Sequence, residues 1–495
     1  MRTVSRRSLL RAGLTVAGLG AGAFASAACE RDDQSDATQF VHPDGAEVNA
    51  AEALRKPGVV RDVTLRAVAG PVDLGGVTVN TWTYGGGLPG SAIRLKAGEV
   101  LRASVHNGLP TDTSVHWHGV ALRNNADGVP PMTQQPIAAG SQFRYQFTAP
   151  DPGTYWLHPH VGPQLDRGLY APLIVEDPAE PLSYDDEWVV VLDDWIDGVG
   201  GTPDEVLAEL RQGMGGMHGG GGHMMMGATS ALLGGDAGDV AYPHYLINGR
   251  LPSAPAIYQG RASSRLRLRL INAGSDTAFR VALGGHVMRV THTDGFPVEP
   301  IDTDALLIGM GERYDALVTL ADGVFPLVAV AEGKDAAAFA LVRTGSGSAP
   351  APVVRPKELN GRIVAYRQLR PAEAARLPGR EPTRNVVLKL TGGMMAYDWG
   401  INGKPFDPDH FEAIRAGERV QIDLVNTTTM WHPMHLHGHT FALESNGLRK
   451  DTAIVLPGQT LRVVFDADNP GVWMIHCHNI YHAESGMMTQ LGYLR

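Results

Sequence analysis

A segment of alternating apolar and polar residues that closes on an asparagine occurs three times, at Gly98 to Asn107, Ser264 to Asn272 and Gly417 to Asn426. Period-two alternation marks a strand with one buried face. Each copy continues into a second strand that opens on a glycine: Gly153 to His158, Gly323 to Val328 and Gly471 to His476. The asparagine lies 51, 56 and 50 residues before the end of that second strand. A chain of 495 residues with this internal repeat is therefore expected to be all-β, built from three consecutive Greek-key β-sandwich domains. Their expected spans are 58–178, 185–345 and 383–495, with a Gly-, Ser-, Pro- and Arg-rich linker at 346–382.

The histidines sit at fixed offsets from these landmarks. Nine and eleven residues after the asparagine stand His116 and His118 in the first copy and His435 and His437 in the third, where the second has Val281 and Leu283. Five and seven residues after the glycine stand His158 and His160, then His476 and His478, where the second copy has Val328 and Val330. Residues i and i+2 of a strand share a face, so each pair presents two imidazoles to one side. Eight histidines are thus expected to meet between the first and third domains. One His-x-His pair is an ordinary coincidence or a Zn or Ni site; four at matching offsets are not.

Cys477 stands between His476 and His478 and must face the opposite way. Within reach along the chain are His432, His482 and Met487. Two histidines, one thiolate and a weak axial methionine form the ligand set of a blue-copper electron-transfer site. The spacing therefore predicts a mononuclear copper site joined through Cys477 to a polynuclear one that suits three further coppers. A disulfide between Cys477 and Cys29, the only other cysteine, is a poor alternative, because Cys29 lies in or beside a cleaved signal.

Together these residues resemble the multicopper oxidases over essentially the whole mature chain. The family signatures stand here as HWHG at 116–119, HPH at 158–160, HPMHLH at 432–437 and HCHNIYHAESGM at 476–487. The likeness is strongest to three-domain bacterial laccase-like enzymes of the copper-resistance kind, mycobacterial members in particular, whose LDDW, YLINGR and THTDG segments are echoed at Leu192–Trp195, Tyr245–Arg250 and Thr291–Gly295. The resemblance implies cupredoxin-like domains and four copper ions. It puts the type 1 copper on His432, Cys477, His482 and Met487, and the type 2 copper on His116 and His435. The type 3 pair falls to His118, His158, His160, His437, His476 and His478. It further implies one-electron donors entering at Cys477, reduction of O2 to water at the trinuclear cluster, and proton supply by Asp127, which as Asp127-Gly128 also suits a turn. Many relatives carry an acid directly after the histidine matching His482; here Ala483 and then Glu484 follow, so a second proton-relay residue is left unassigned.

Met214, Met217, His218, His223, Met224, Met225 and Met226 are interspersed with glycines in the stretch 211–228. Such a segment reads as a low-complexity loop or, because thioether and imidazole select Cu(I), as a copper-capture loop. Met394, Met395 and Met430 extend a route toward the type 1 site. Met430 matches a methionine of Cu(I)-oxidising relatives, while Thr428 stands where those relatives have an acid, and Met394 and Met395 equally suit core packing. The expected donors are Cu(I) and phenolic compounds, and the expected role is copper tolerance. The competing readings are a general laccase or ferroxidase with an incidental Met loop, and a non-catalytic copper-sequestering protein.

Residues 1–28 carry Ser5-Arg6-Arg7-Ser8-Leu9-Leu10, an apolar Ala/Gly/Leu run and no acid before Glu30, the pattern of a twin-arginine export signal. The run is short and weakly apolar for a membrane span. Ser26-Ala27-Ala28-Cys29 resembles a lipobox, and Ala25-Ser26-Ala27 equally fits ordinary signal cleavage, so a lipid anchor on Cys29 and a free periplasmic, envelope-associated or secreted form both stay open. Residues 29–57 read as a polar linker. The formal charge of −10 argues against a nucleic-acid partner, and a monomer is expected.

Overall fold

The computed structural model describes residues 40–216, 222–225 and 227–495. The export signal, Cys29, and Met217, His218 and Met226 of the Met-rich stretch lie outside the described residues.

Three pairs of sheets follow one another along the chain, of four and four, six and five, and six and five strands. The landmark strands Val100–Gly108, Arg265–Asn272 and Arg419–Asn426 occupy the same place in each. Each runs parallel to the strand that opens its sandwich, Val60–Asp73, Asp186–Trp195 or Arg384–Thr391, and antiparallel to a later one. The closing asparagine is buried and caps its own turn: Nδ2 of Asn107, Asn272 and Asn426 each donates to two backbone carbonyls. The repeat in the sequence is thus a repeat of topology and of its turn chemistry.

The glycine-led strands also correspond. Gly153–His158 lies beside His116–His118 with His116 opposite His158, and Val472–Cys477 lies beside His432–Leu436 with His435 opposite His476. In the second sandwich Val328 pairs with Ala282 rather than Val281. Matching by count therefore slips by one residue there: Val281 and Leu283 enter the main core, while Val328 and Val330 pack on the other face. A one-residue slip flips a strand's faces.

Two connections outside the sandwiches carry local structure of their own. The supposed polar linker 29–57 is structured from Phe40 on: Val41 N donates to Tyr493 O at 2.8 Å, and Ala46–Leu54 forms a helix with Val48 buried. Glu52 fastens this helix by accepting from Thr148 N and Oγ1, each at 2.8 Å. The 346–382 linker crosses the second sandwich in short 3-10 turns, and Leu359 and Ile363 cover Val328 and Ala282.

Candidate metal centre

The eight histidines of the four His-x-His pairs converge. His118, His158 and His478 have ring centroids 4.9 to 5.6 Å apart, and His160, His437 and His476 lie 4.9 to 5.1 Å apart. The centroids of His116 and His435 are 5.8 Å apart. Each trio draws on both the first and the third sandwich, so the cluster lies on their interface.

Six of these rings are each anchored to an oxygen through one nitrogen, and Nε2 of His437 and of His476 face each other at 3.1 Å. His116 Nδ1 donates to Asp127 O at 2.9 Å, His437 Nδ1 to Asp127 Oδ2 at 3.0 Å and His158 Nδ1 to Pro159 O at 3.0 Å. His435 Nδ1 donates to Asp451 O at 2.9 Å, and His476 Nδ1 to Cys477 O at 2.8 Å. His118 is held the other way round, with Nε2 3.2 Å from Asp451 Oδ1. The opposite nitrogens of His116, His118, His158 and His435, together with Nε2 of His160 and of His478, are buried without a hydrogen-bond partner among the described residues. Leaving one buried polar atom unpaired costs about 1–3 kcal/mol, so six convergent ones are the signature of a site that takes metal. Burial, reinforced by the neighbouring imidazoles, also holds His118, His158, His160, His437, His476 and His478 well below the usual histidine range. Neutral imidazoles keep the lone pairs a metal needs.

Cys477 faces away from this cluster, as its place between two histidines requires. Its Sγ is 3.7 Å from Nδ1 of both His432 and His482. His432 Nε2 lies 2.8 Å from Thr428 Oγ1, and His482 Nε2 donates to Asp239 Oδ2 at 2.9 Å. Both rings therefore turn Nδ1 toward the sulfur, an orientation fixed from behind as in known metal sites. Burial lowers His432, whereas for His482 Asp239 and Cys477 outweigh burial and raise it to about 10. Met487 is buried beside them, its carbonyl accepting from Cys477 N at 3.0 Å, and Trp399 packs 4.2 Å from the His482 ring.

Asp127 both forms the expected turn and touches the cluster. Gly128 has φ +76°, and a Cβ there would meet Val115 O at 1.8 Å. Glu484, pushed up to about 7 by burial, lies in the helix Ile480–Glu484 with Arg211 on its carbonyl.

The methionine set divides. Met214 N donates to Met394 O at 3.3 Å; Met214 and Met395 are exposed, whereas Met394 is part-buried against the main core. Met224 and Met430 are instead buried in the core, and Met225 N donates to Asp239 O at 2.7 Å. His223 is no free ligand: Nδ1 is 2.7 Å from Glu209 Oε2 and Nε2 is 2.6 Å from Gly200 O. Its ring ties the stretch to the helix Pro203–Leu210, because both nitrogens face acceptors.

Asp239, Asp451 and Thr452 carry no signal in the sequence. Each is a lone polar residue with a distant partner: Asp239 lies 243 positions from His482, and Thr452 lies 334 from His118.

A buried cysteine with two histidines, its two chain neighbours in a two-domain imidazole cluster, defines a copper oxidoreductase of the multidomain kind. The chain belongs to the multicopper oxidase family, whose models match residues 69–180, 187–346 and 379–493. It is 50% identical to the multicopper oxidase MmcO of Mycobacterium tuberculosis, over 100% of this chain and 97% of that one. It is 29% identical to a copper resistance protein A homolog of Pseudomonas syringae pv. tomato, over 85% and 90%. Among solved structures, the L499M laccase of B. aclada aligns with TM-score 0.72 at 27% identity, covering 89% and 88%. Fet3p, a multicopper oxidase that functions in iron import, aligns with TM-score 0.74, covering 88% and 90%, and at 22% identity it attests the fold alone.

Proposed function

We propose that this oxidase couples one-electron oxidation of Cu(I), and of phenolic compounds, to reduction of O2 to water, in the service of copper tolerance. The observation that carries the reading is the strand Val472–Cys477 with His478 just beyond it: Cys477 turns to His432 and His482 while its two neighbours turn into the imidazole cluster. In this reading His432, Cys477, His482 and Met487 hold a type 1 copper, His116 and His435 a type 2 copper, and His118, His158, His160, His437, His476 and His478 a type 3 pair. Copper in these places supplies one-electron exchange and the store of four electrons that turning O2 into two waters requires.

The side chains do the rest. Asp127 orients His116 and His437 through their Nδ1 protons and, buried beside the cluster, is the group through which protons are supplied to the reaction. Asp239 and Thr428 fix the two histidines around Cys477, and Trp399 keeps water from them. The exposed Met214 and Met395, with the part-buried Met394 beside them, offer soft thioethers to incoming Cu(I), which supports copper as a donor. For the chain as a whole, we read three domains near the expected bounds, a monomer, twin-arginine export, and attachment to a membrane only if Cys29 is lipidated. Among the described residues no helix is long and apolar enough to cross a membrane.

Replacing Met214, Met394 and Met395 together by Leu tests the copper-specific part. Cu(I) turnover should fall about tenfold, with phenol turnover unchanged. An equal fall for both donors, or none for either, would reduce the protein to a general laccase.

A further inference from the structure

The second sandwich carries none of the histidines or sulfur ligands proposed for the four coppers, yet its backbone and side chains reach the imidazole cluster. Gly311 has φ +83°, and a Cβ there would stand 2.8 Å from the His478 ring and 3.0 Å from that of His118. Two residues on, Arg313 is completely buried. Its Nη1 and Nη2 donate to Asp451 Oδ1 and Oδ2 at 2.7 and 2.6 Å, a bidentate fork, and its Nε donates to Thr154 O at 3.0 Å. Arg313 thus ties the second sandwich to the third at Asp451 and to the first at Thr154, on the strand that ends in His158.

Asp451 in turn holds two rings. His118 Nε2 is 3.2 Å from its Oδ1 and His435 Nδ1 is 2.9 Å from its backbone oxygen. Thr452 Oγ1 donates to Asp451 Oδ1 at 2.8 Å and lies 3.1 Å from His118 Nε2 and 3.0 Å from His435 Nδ1. Asp294, also of the second sandwich, completes the frame: Oδ1 accepts from Arg313 N at 2.8 Å, and Oδ2 from Asp451 N and Thr452 N at 3.2 Å each. The glycine of HWHG gains a reason as well, since a Cβ on Gly119 would stand 2.4 Å from Arg313 Nη2 and 2.6 Å from Asp451 Oδ2.

We propose that Arg313 is a positioning residue of the trinuclear centre, locking Asp451 so that His118 of the first sandwich and His435 of the third keep the separation two different coppers need. This rests on the four-copper reading above. A planar fork fixes a carboxylate in orientation as well as in place, which an ammonium cannot do. Lysine at 313 therefore keeps the charge and loses the alignment. Arg267 is the control: it is as deeply buried in the same sandwich and contacts Asp315 through Nε and Nη2 at 3.0 and 2.6 Å, but Asp315 touches none of the candidate ligands.

The test compares full-length, copper-loaded R313K, R267K and unsubstituted enzyme by copper content, optical and EPR spectra, and kinetics. R313K should keep the blue absorbance of the cysteine site while its type 2 EPR signal and near-ultraviolet type 3 band weaken. Its kcat should fall at least tenfold with the donor KM unchanged, and R267K should match the unsubstituted enzyme. Unchanged type 2 and type 3 signals in R313K, or equal losses in R267K, would overturn the inference. If R313K does not fold, D294N takes its place with the same two outcomes. Absence of these signals from the unsubstituted enzyme would instead strike the four-copper reading itself.

Discussion

The first and third sandwiches bring four histidines each to their shared interface; the second, with the third's strand order and two more strands in one sheet and one more in the other than the first, brings apolar residues to the corresponding positions and packs them. The difference shows what a ligand face demands. In the ligand-bearing copies His116 sits opposite His158 and His435 opposite His476. In the second the register has moved by one, and Val281 is core. Freed from binding, that copy has become the frame, with Gly311, Arg313 and Asp294 against the cluster and Asp239 against His482.

The comparison can be broken most severely by giving the third copy the residues of the second. The double variant His435→Val with His437→Leu should lower O2 consumption by at least about three orders of magnitude, as removal of essential groups does, while the blue absorbance persists. Loss of the blue band too would mean that the two sites are not separable. Next in size, Asp127→Asn should lower kcat about 100-fold, within the range for lost acid–base function, and copper content should hold at its original value; a matching loss of copper would make Asp127 structural only. In the reverse direction, Val281→His buries an unpartnered imidazole and should cost about 3 kcal/mol of stability, read by chemical denaturation, with no added copper per chain. A gain of copper there would show that the second copy kept a latent site.

The smallest effect concerns His292 of the second sandwich. Burial, against the pull of Asp315, pushes its pKa from 6.5 to about 4. Between those values the unfolded chain takes a proton that the folded one refuses. Stability is therefore full above pH 6.5 and declines as pH falls toward 4, by roughly 2 kcal/mol at pH 5. His292→Gln should flatten that part of the profile, and an unaltered slope would locate the acid sensitivity elsewhere.

The strands and the ligand pairs were legible because both are local patterns: period two in the strands, fixed offsets in the histidines, and a cysteine whose neighbours oblige it to face away. What could not be read were the groups that hold those ligands. Asp451 and Arg313 are 138 positions apart, and a lone aspartate or arginine carries no periodicity to announce its partner. Exposure was equally hidden. His223 and Met224 looked interchangeable with Met214 in a run of glycines, yet the fold pairs His223 with Glu209, buries Met224 and leaves Met214 on the surface. The slip in the second sandwich arose because counting from a landmark presumes equal loop lengths, and this copy is the longest of the three.

The central claim is that one copper rests on Cys477 and three on the imidazoles between the outer sandwiches. Copper per chain, measured beside O2 consumption in the unsubstituted protein and in Cys477→Ser, tests it most directly. The account predicts four coppers and a blue, active enzyme for the first, and three coppers, no blue absorbance and no donor-driven O2 consumption for the second. Two or fewer coppers in the unsubstituted protein, or a Cys477→Ser protein that still consumes O2 with its donor, would contradict it.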